Sequence, residues 1–543
     1  MSPLLQLRFA WLWLTAGQPS ITRALRGHDS PTNTRWPNNN IMGKKLLKRR
    51  FVFAGCDVEM AGRIAWHVES ANEAWHRDLY SFRWLEDIAS TSNPKVAASF
   101  AREFINSFIL EKQDLLPSAF AMQTLGIRVA EWLYYRRFLM KSGSIRFQRR
   151  LIRSLITDIR YMQRYLANAE PPDALMMIKG LIAASISLPM LHLDRRAYCE
   201  QLENILDELI LNDGMHVSRN PEEHLHILRH LIEMRDMLLL IGEESLGLDA
   251  HIMAMGSSLR FFCHGDGRLG LFNGALMEEP HLIAQTISRS DNGEPVPAHM
   301  DASGFFRLER GHACILMCGQ PHRPLALSAP SMGSFEFSDG LERFIVNCGG
   351  YRGTSTTWQA ASVMPAAHTT LSLEARTLPI GSVPQRPYQL TDDELPTIKP
   401  DAFLNDGSQH IARTSRMVSI AQADGMHERE LRLNVSGQQF SGMDVFRLLR
   451  AQSDGELKLN LRFHLHPDIR CQRQKDGTIS LSSVGGSVWY FTSTMPKATQ
   501  IEESVYLGYY GKPQKTLQIV ISTDITTKVT EFRWSLTRQV EAL

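Results

Sequence analysis

The chain has no apolar run approaching the roughly 20 residues a helix needs to cross a bilayer, so no transmembrane segment is expected. It has almost no net charge: 59 Lys and Arg stand against 57 Asp and Glu, for +2 with neutral His. A global basic field of the kind that gathers nucleic acid is therefore excluded, and any anionic ligand has to be held by a local patch. Cysteine is scarce and unpatterned: Cys56, Cys199, Cys263, Cys314, Cys318, Cys348 and Cys471 form no CxxC pair and are odd in number. That argues against a zinc knuckle or a disulfide framework. Nucleophile-elbow, phosphate-loop and HExxH patterns are also missing, and Gly265-Asp266-Gly267 reads as a turn. The segment Leu4–Gly17 is apolar, but its basic residue, Arg8, sits inside the run, where a secretion signal wants it in front. Residues 17–40 are rich in Pro, Ser, Thr and Asn, so residues 1–45 read as an irregular N-terminal extension with order starting near Leu46–Phe53.

What is present is material for large cores. The 543 residues, 43% of them hydrophobic, suit two or three domains. From about residue 60 to 262 the apolar period is helical. Phe147, Leu151, Leu155 and Ile159 recur every four residues, and Leu202, Ile205, Leu206 and Leu209 make a second stripe. Asn212-Asp213-Gly214 reads as a helix stop. Asn220, Pro221 and Glu223 read as the cap, first position and capping-box position of the next helix. After Gly267 the period changes. Leu457, Leu459, Leu461, Phe463 and Leu465 alternate with Lys458, Asn460, Arg462 and His464, as Leu517, Ile519 and Ile521 do with their neighbours. This is the pattern of an antiparallel β-sandwich. The expected organisation is a multidomain α plus β chain. The extension (1–45) is followed by an α-helical, α/α toroid-like domain (46–268) and an antiparallel β-sandwich domain (269–543).

Several segments resemble the heparinase II/III family. In the helical half these are Asp213-Gly-Met-His216-Val-Ser-Arg219-Asn220-Pro221, Phe261-Phe-Cys-His264-Gly-Asp266-Gly and Leu271-Phe-Asn273-Gly. In the β half they are Ser334-Phe-Glu336-Phe-Ser-Asp339-Gly, Phe344-Ile-Val-Asn347-Cys-Gly349, Ala366-Ala-His368-Thr-Thr-Leu, Arg462-Phe-His464-Leu-His466-Pro-Asp468 and Glu503-Ser-Val-Tyr506-Leu-Gly508. Their order and spacing extend the resemblance over roughly residues 45–540. It implies β-elimination on a uronic-acid-containing polysaccharide. A base takes the proton beside the sugar carboxylate, a donor or cation neutralises that carboxylate, and an acid protonates the leaving oxygen. It also implies a periplasmic or cell-envelope setting.

The chain departs from the lyase pattern at telling places. Where family lyases carry a Tyr after the Asp-Gly turn, this sequence reads Pro221-Glu222-Glu223-His224. The family's Asn-His pair falls on Pro172-Asp173. Of the metal ligands that family sandwiches hold, only His368 remains, with Asn347 at the place of an Asp. Neither a metal nor a cofactor is therefore expected.

The candidate catalytic residues are His216, His368 and Tyr351; the candidate substrate-binding residues are Arg219, Asn220, Arg352 and Trp358. Each has a structural reading beside the functional one. Asn220 serves as a cap, His368 as a hydrogen-bonded core histidine, and the loop of Tyr351, Arg352 and Trp358 as plain surface. His224 and His226 read as a solvated helix face, Tyr134 and Tyr135 as core aromatics, and His464 and His466 as a solvated or inter-strand polar face. Two function classes remain: a lyase on an acidic glycan, and a non-catalytic carbohydrate-binding or envelope-polysaccharide accessory protein that kept the fold.

Overall fold

A computed structural model describes Trp36 and residues 40–60, 62, 64–111, 115–291, 293–320, 331–375, 402–420, 422–451, 457–510 and 513–539. Most of the expected N-terminal extension, 1–35 and 37–39, lies outside the described residues. Where it is described it departs from expectation. A helix already runs from Asn40–Leu47, and Trp36 is buried, its indole donating to Glu233 Oε1 at 2.8 Å. The chain divides into two units. One comprises Met1–Ile210, Ile227–Ile252 and Arg352–Thr354; the other comprises Leu211–His226, Met253–Tyr351 and Ser355–Leu543.

The first unit is helical, as the periodicity predicts. The helix Ile145–Tyr165 begins where Ser144 accepts a hydrogen bond from Phe147 N, and it buries Phe147, Leu151, Leu155 and Ile159 on one stripe. Each such side chain contributes about 1.5–3 kcal/mol relative to exposure. The helices Met122–Tyr134 and Pro171–Ser187 approach backbone to backbone at Gly126, where a Cβ would stand 2.1 Å from Met176 O. An aromatic cluster of Phe51, Trp66, Phe82, Trp84, Phe104 and Phe108 fills a second region of this unit. A two-stranded hairpin, Arg50–Phe53 with Cys56–Glu59, is an element the helical period does not foretell.

The second unit is built on two antiparallel sheets. One has eight strands, in the order Arg470–Arg473, Ile479–Ser482, Val488–Ser493, Val529–Arg538, Gln439–Ala451, Ala423–Asn434, Gln409–Ile420, Ala402–Asn405. The other has nine. Its main path runs Thr499–Tyr506, Gln514–Asp524, Leu457–Leu465, Glu342–Val346, Phe335–Asp339, Ala313–Cys318, Phe305–Arg310, His299–Met300, with Leu371–Ala375 paired onto Leu457–Leu465. The sheets meet through aromatic side chains. Phe335 stacks on Trp534 with centroids 5.4 Å apart and planes 6° apart, and Phe337 meets Trp489 edge-on at 4.8 Å. Period-2 alternation puts Leu457, Leu459, Leu461, Phe463 and Leu465 into this core.

One expectation is corrected and another is narrowed. The change of period after Gly267 is not immediate, because an 11-residue helix, Pro280–Ser290, precedes the first strand of the sandwich. Of the two readings of the face carrying His464 and His466, solvated or inter-strand, the inter-strand one holds: Asn460, His464 and His466 are all buried. Neighbouring strands and loops supply their partners. Ser522 Oγ donates to Asn460 Oδ1 at 2.6 Å, and His464 Nε2 lies 2.9 Å from Ala366 O.

Candidate functional site in the antiparallel unit

The Asp-Gly turn positions the first candidate. The helix Arg195–Leu209 ends just before it, and Asp213 Oδ2 accepts from the backbone N (2.6 Å) and hydroxyl (2.8 Å) of Ser303. Gly214 adopts φ +81° and leaves no room for a Cβ, which would stand 2.3 Å from Ala254 O.

His216 follows at 3% exposure. Its Nδ1 lies 2.8 Å from Ser218 Oγ and accepts from Ser218 N at 3.3 Å, which assigns the proton of the neutral ring to Nε2. That Nε2 is buried without a hydrogen-bond partner. Burial pushes the imidazole pKa down, so the ring is neutral at pH 7.

The helix Pro221–Leu239 starts as expected, with Asn220 Oδ1 accepting from Glu222 N (2.9 Å) and Glu223 N (3.0 Å). Asn220 Nδ2 also donates to Asn273 O at 3.0 Å, while Asn273 Nδ2 returns a bond to Arg219 O at 2.7 Å. The Arg219 guanidinium is buried. It donates to Gly319 O at 2.7 Å and lies 4.9 Å from the Phe305 ring centroid. These two candidate binding residues are thus engaged within the unit.

His224 overturns the solvated-face expectation. It is fully buried, takes His216 N on Nδ1 (3.2 Å) and holds Met255 O with Nε2 at 2.9 Å. Burial lowers its pKa to about 3. The reason is local: the 211–216 turn folds back over the first turn of the helix and covers that side.

His226 stands differently. Its Nε2 lies 3.0 Å from Glu278 Oε1 and 3.8 Å from Glu222 Oε1. Tyr510 donates to Glu222 Oε1 at 2.5 Å and lies 3.3 Å from Glu278 Oε1. Burial alone would lower the His226 pKa. The hydrogen bonds and charges of the two carboxylates outweigh it and push the value up to about 9. Sequence reading missed Glu222, Glu278 and Tyr510. The i,i+4 spacing of Glu222 and His226 was visible, but their partners lie over 50 and nearly 290 residues along the chain.

His368 closes the short helical turn Pro365–Ala367. Its Nδ1 is 3.0 Å from Met364 O, a carbonyl that only an N–H can satisfy, so the lone pair of the neutral ring is on Nε2. Burial lowers its pKa to about 4, and it is 3% exposed. The next residue, Thr369, ties this end to the sheet by donating from N to Asn347 Oδ1 (3.0 Å) and from Oγ1 to Val346 O (2.7 Å).

Tyr351 and Trp358 are partly exposed, with ring centroids 6.5 Å apart. Trp358 rides on the helix Thr356–Ser362, which Ser355 caps. Arg352 falls in the helical unit, where its carbonyl accepts from Asn72 Nδ2. Each of the His216 and His368 rings engages a partner within its own segment.

Comparison with known proteins follows from this geometry. Residues 292–535 match the family model "Heparinase II/III-like, C-terminal". A crystal structure of heparinase III superposes with TM-score 0.70 at 12% identity, covering 96% of this chain and 92% of that one. Residues 292–535 are thus similar to a heparinase II/III C-terminal domain, and the chain shares the heparinase III fold. Its helical part takes the α/α toroid of the heparinase III structures and its antiparallel part their β-sandwich. The heparan sulfate lyase HepC from Pedobacter heparinus also shares the fold, with TM-score 0.55, 13% identity, and 98% and 88% of the two chains covered. Among curated proteins, "FtsZ-localized protein C" of Caulobacter vibrioides is 28% identical over 361 residues. The match spans 61% of this chain and 59% of that relative's length. No helix among the described residues is long and apolar enough to cross a membrane.

Proposed function

We propose that this chain is a polysaccharide lyase-like protein that acts on a uronic-acid-containing glycan by β-elimination. The observation that carries the reading is the hydrogen bonding of two buried histidines, which leaves Nε2 of His368 as the lone-pair nitrogen and Nε2 of His216 without a partner. The first has the form of a general base; the second has the form of a donor to a carboxylate that gains charge as the proton leaves. In the reaction His368 takes the proton beside the carboxylate, the electron pair forms the ring double bond, and the glycosidic C–O bond breaks. Tyr351 protonates the leaving oxygen. Trp358 offers an apolar platform for a sugar ring, and Arg352 a cation for a carboxylate. Arg219 and Asn220 hold the turn that presents His216.

A second reading has its own support. His216 and His368 are each only 3% exposed, and a relative is named for its association with FtsZ rather than for a reaction. On that reading the chain binds an acidic envelope glycan without cleaving it.

The deciding experiment is ultraviolet absorbance of the unsaturated uronic product, with purified protein and a panel of acidic polysaccharides. Absorbance that grows with the wild type and vanishes in His368→Ala, with binding retained, supports the lyase. Binding without absorbance on every polymer supports the accessory protein.

A further inference from the structure

We infer that Glu222, His226 and Glu278, with Tyr510 at the fourth corner, form a divalent transition-metal site, best suited to zinc. The inference is independent of the lyase reading, and it departs from the absence of metal ligands expected from the sequence. That expectation concerned the sandwich, where the resemblance keeps only His368, whereas this cluster sits at a helix start and uses different residues.

Ligand spacing is the first argument. Each of the three residues offers an atom, and all of these atoms lie within 4.8 Å of one another. Around a tetrahedral zinc with metal–ligand distances of about 2.0–2.1 Å, neighbouring ligand atoms stand roughly 3.3 Å apart. The observed edges are 3.0 Å (His226 to Glu278), 3.8 Å (His226 to Glu222), 3.3 Å (Tyr510 to Glu278) and 2.5 Å (Tyr510 to Glu222). These four edges bracket that value.

The second argument is that this is not a surface acidic patch. Glu222 is fully buried and Glu278 has a side-chain exposure of 13%. Glu222 is further oriented by Leu276 N, which donates to its Oε2 at 2.9 Å, leaving Oε1 directed at the cluster. The third argument is ligand chemistry. An imidazole and two carboxylates form a borderline-hard N,O set that takes zinc and related first-row ions in preference to soft ones. Tyr510, at the fourth corner, is 39% exposed, so an ion can reach the cluster from solvent on that side.

The test is calorimetric titration of the whole, chelator-treated protein with zinc chloride, comparing wild type with Glu278→Gln and His226→Gln. Unbound protein melting temperatures establish that each variant is folded. The site predicts one tight equivalent in the wild type, weakened on the order of 100-fold in each folded variant. Cobalt(II) in its place gives the visible absorption of a low-coordinate ion, altered in Tyr510→Phe. If the wild type takes up no stoichiometric zinc, or both variants bind as the wild type does, the inference is wrong. Should one variant fail to fold, the other decides.

Discussion

Replacing Asp444 with Asn tests how the sandwich is held. Asp444 is fully buried, and its two oxygens take three donors: Arg429 Nε at 2.6 Å and His427 Nε2 at 2.7 Å on Oδ1, and Trp534 Nε1 at 2.9 Å on Oδ2. Arg429 also donates to Gly333 O and Thr369 O, at 2.6 and 2.8 Å, which fixes the guanidinium in place. Arg416 Nε donates to His427 Nδ1 at 3.4 Å, so His427 is the Nε2–H tautomer and a donor to Asp444. An Asn amide brings one NH2 into a site where both oxygens face donors, and it leaves the Arg429 charge buried without a counter-charge. Breaking a buried pair this way costs about 3–5 kcal/mol, which lowers the sandwich Tm by roughly 10 °C.

Urea unfolding followed by tryptophan fluorescence, which Trp489 and Trp534 report from this core, measures the loss. Adding Arg429→Met to D444N removes the stranded charge and returns part of the stability. The charge of Arg429 holds the Asp444 carboxyl well below the usual carboxylate range despite its burial. The stability it confers is therefore complete above the unfolded pKa of about 3.9 and fades only as pH falls through the folded value. The gap between wild type and D444N should stay constant from pH 7 down to about pH 4 and close below it. A D444N protein within about 0.5 kcal/mol of wild type, or a second substitution that adds its full cost, refutes the reasoning.

Three further outcomes are expected. Burial lowers the pKa of His427 to about 4 and of His464 to about 3, so the unfolded chain binds more protons as pH drops below about 6.5. Stability should fall from there, and His464→Gln should flatten the slope of unfolding free energy against pH. An unchanged slope counts against it. Gly126→Ala should force the helices Met122–Tyr134 and Pro171–Ser187 apart, at a cost of about 2–4 kcal/mol by overpacking and backbone shift; circular dichroism melts of the helical unit read it, and a wild-type melt refutes the close approach. Lys179 is buried, 2.8 Å from His230 Nδ1 and paired with Glu233. Lys179→Ala should cost about 3–5 kcal/mol, with Glu233→Gln in the same background recovering part of it in chemical denaturation.

The fold was legible because its long elements carry their period openly. Phe147, Leu151, Leu155 and Ile159 could only be a helix stripe, and Leu457 to Leu465 only a half-buried strand. The helix Pro280–Ser290 was not legible, because its three buried residues, Ile283, Thr286 and Ser290, include two polar ones and so present no apolar stripe. The cap at Asn220 was legible, because a cap is local. Histidines were the hardest to place. His224 and His226 are two residues apart on one helix, yet one is sealed under the 211–216 turn and the other meets two carboxylates. What separates them is where Met255, Glu278 and Tyr510 arrive, which is tertiary information.

The turn from Asp213 to Asn220 bears on how a lyase fold keeps its motifs. Asp213 binds Ser303, Arg219 reaches Gly319 O, and Asn220 exchanges bonds with Asn273. Arg219 also sits at φ 55° and Asn273 at φ 54°, left-handed conformations that cost a non-glycine residue about 1–2 kcal/mol. Such strain needs a structural reason. The bonds the turn makes to 273, 303 and 319 supply one, since they fix the start of the helix Pro221–Leu239 against three segments of its own unit. The motif therefore has an architectural role whether or not His216 meets a sugar. This is why the activity of His368→Ala, and not the presence of the motif, separates the two functional readings.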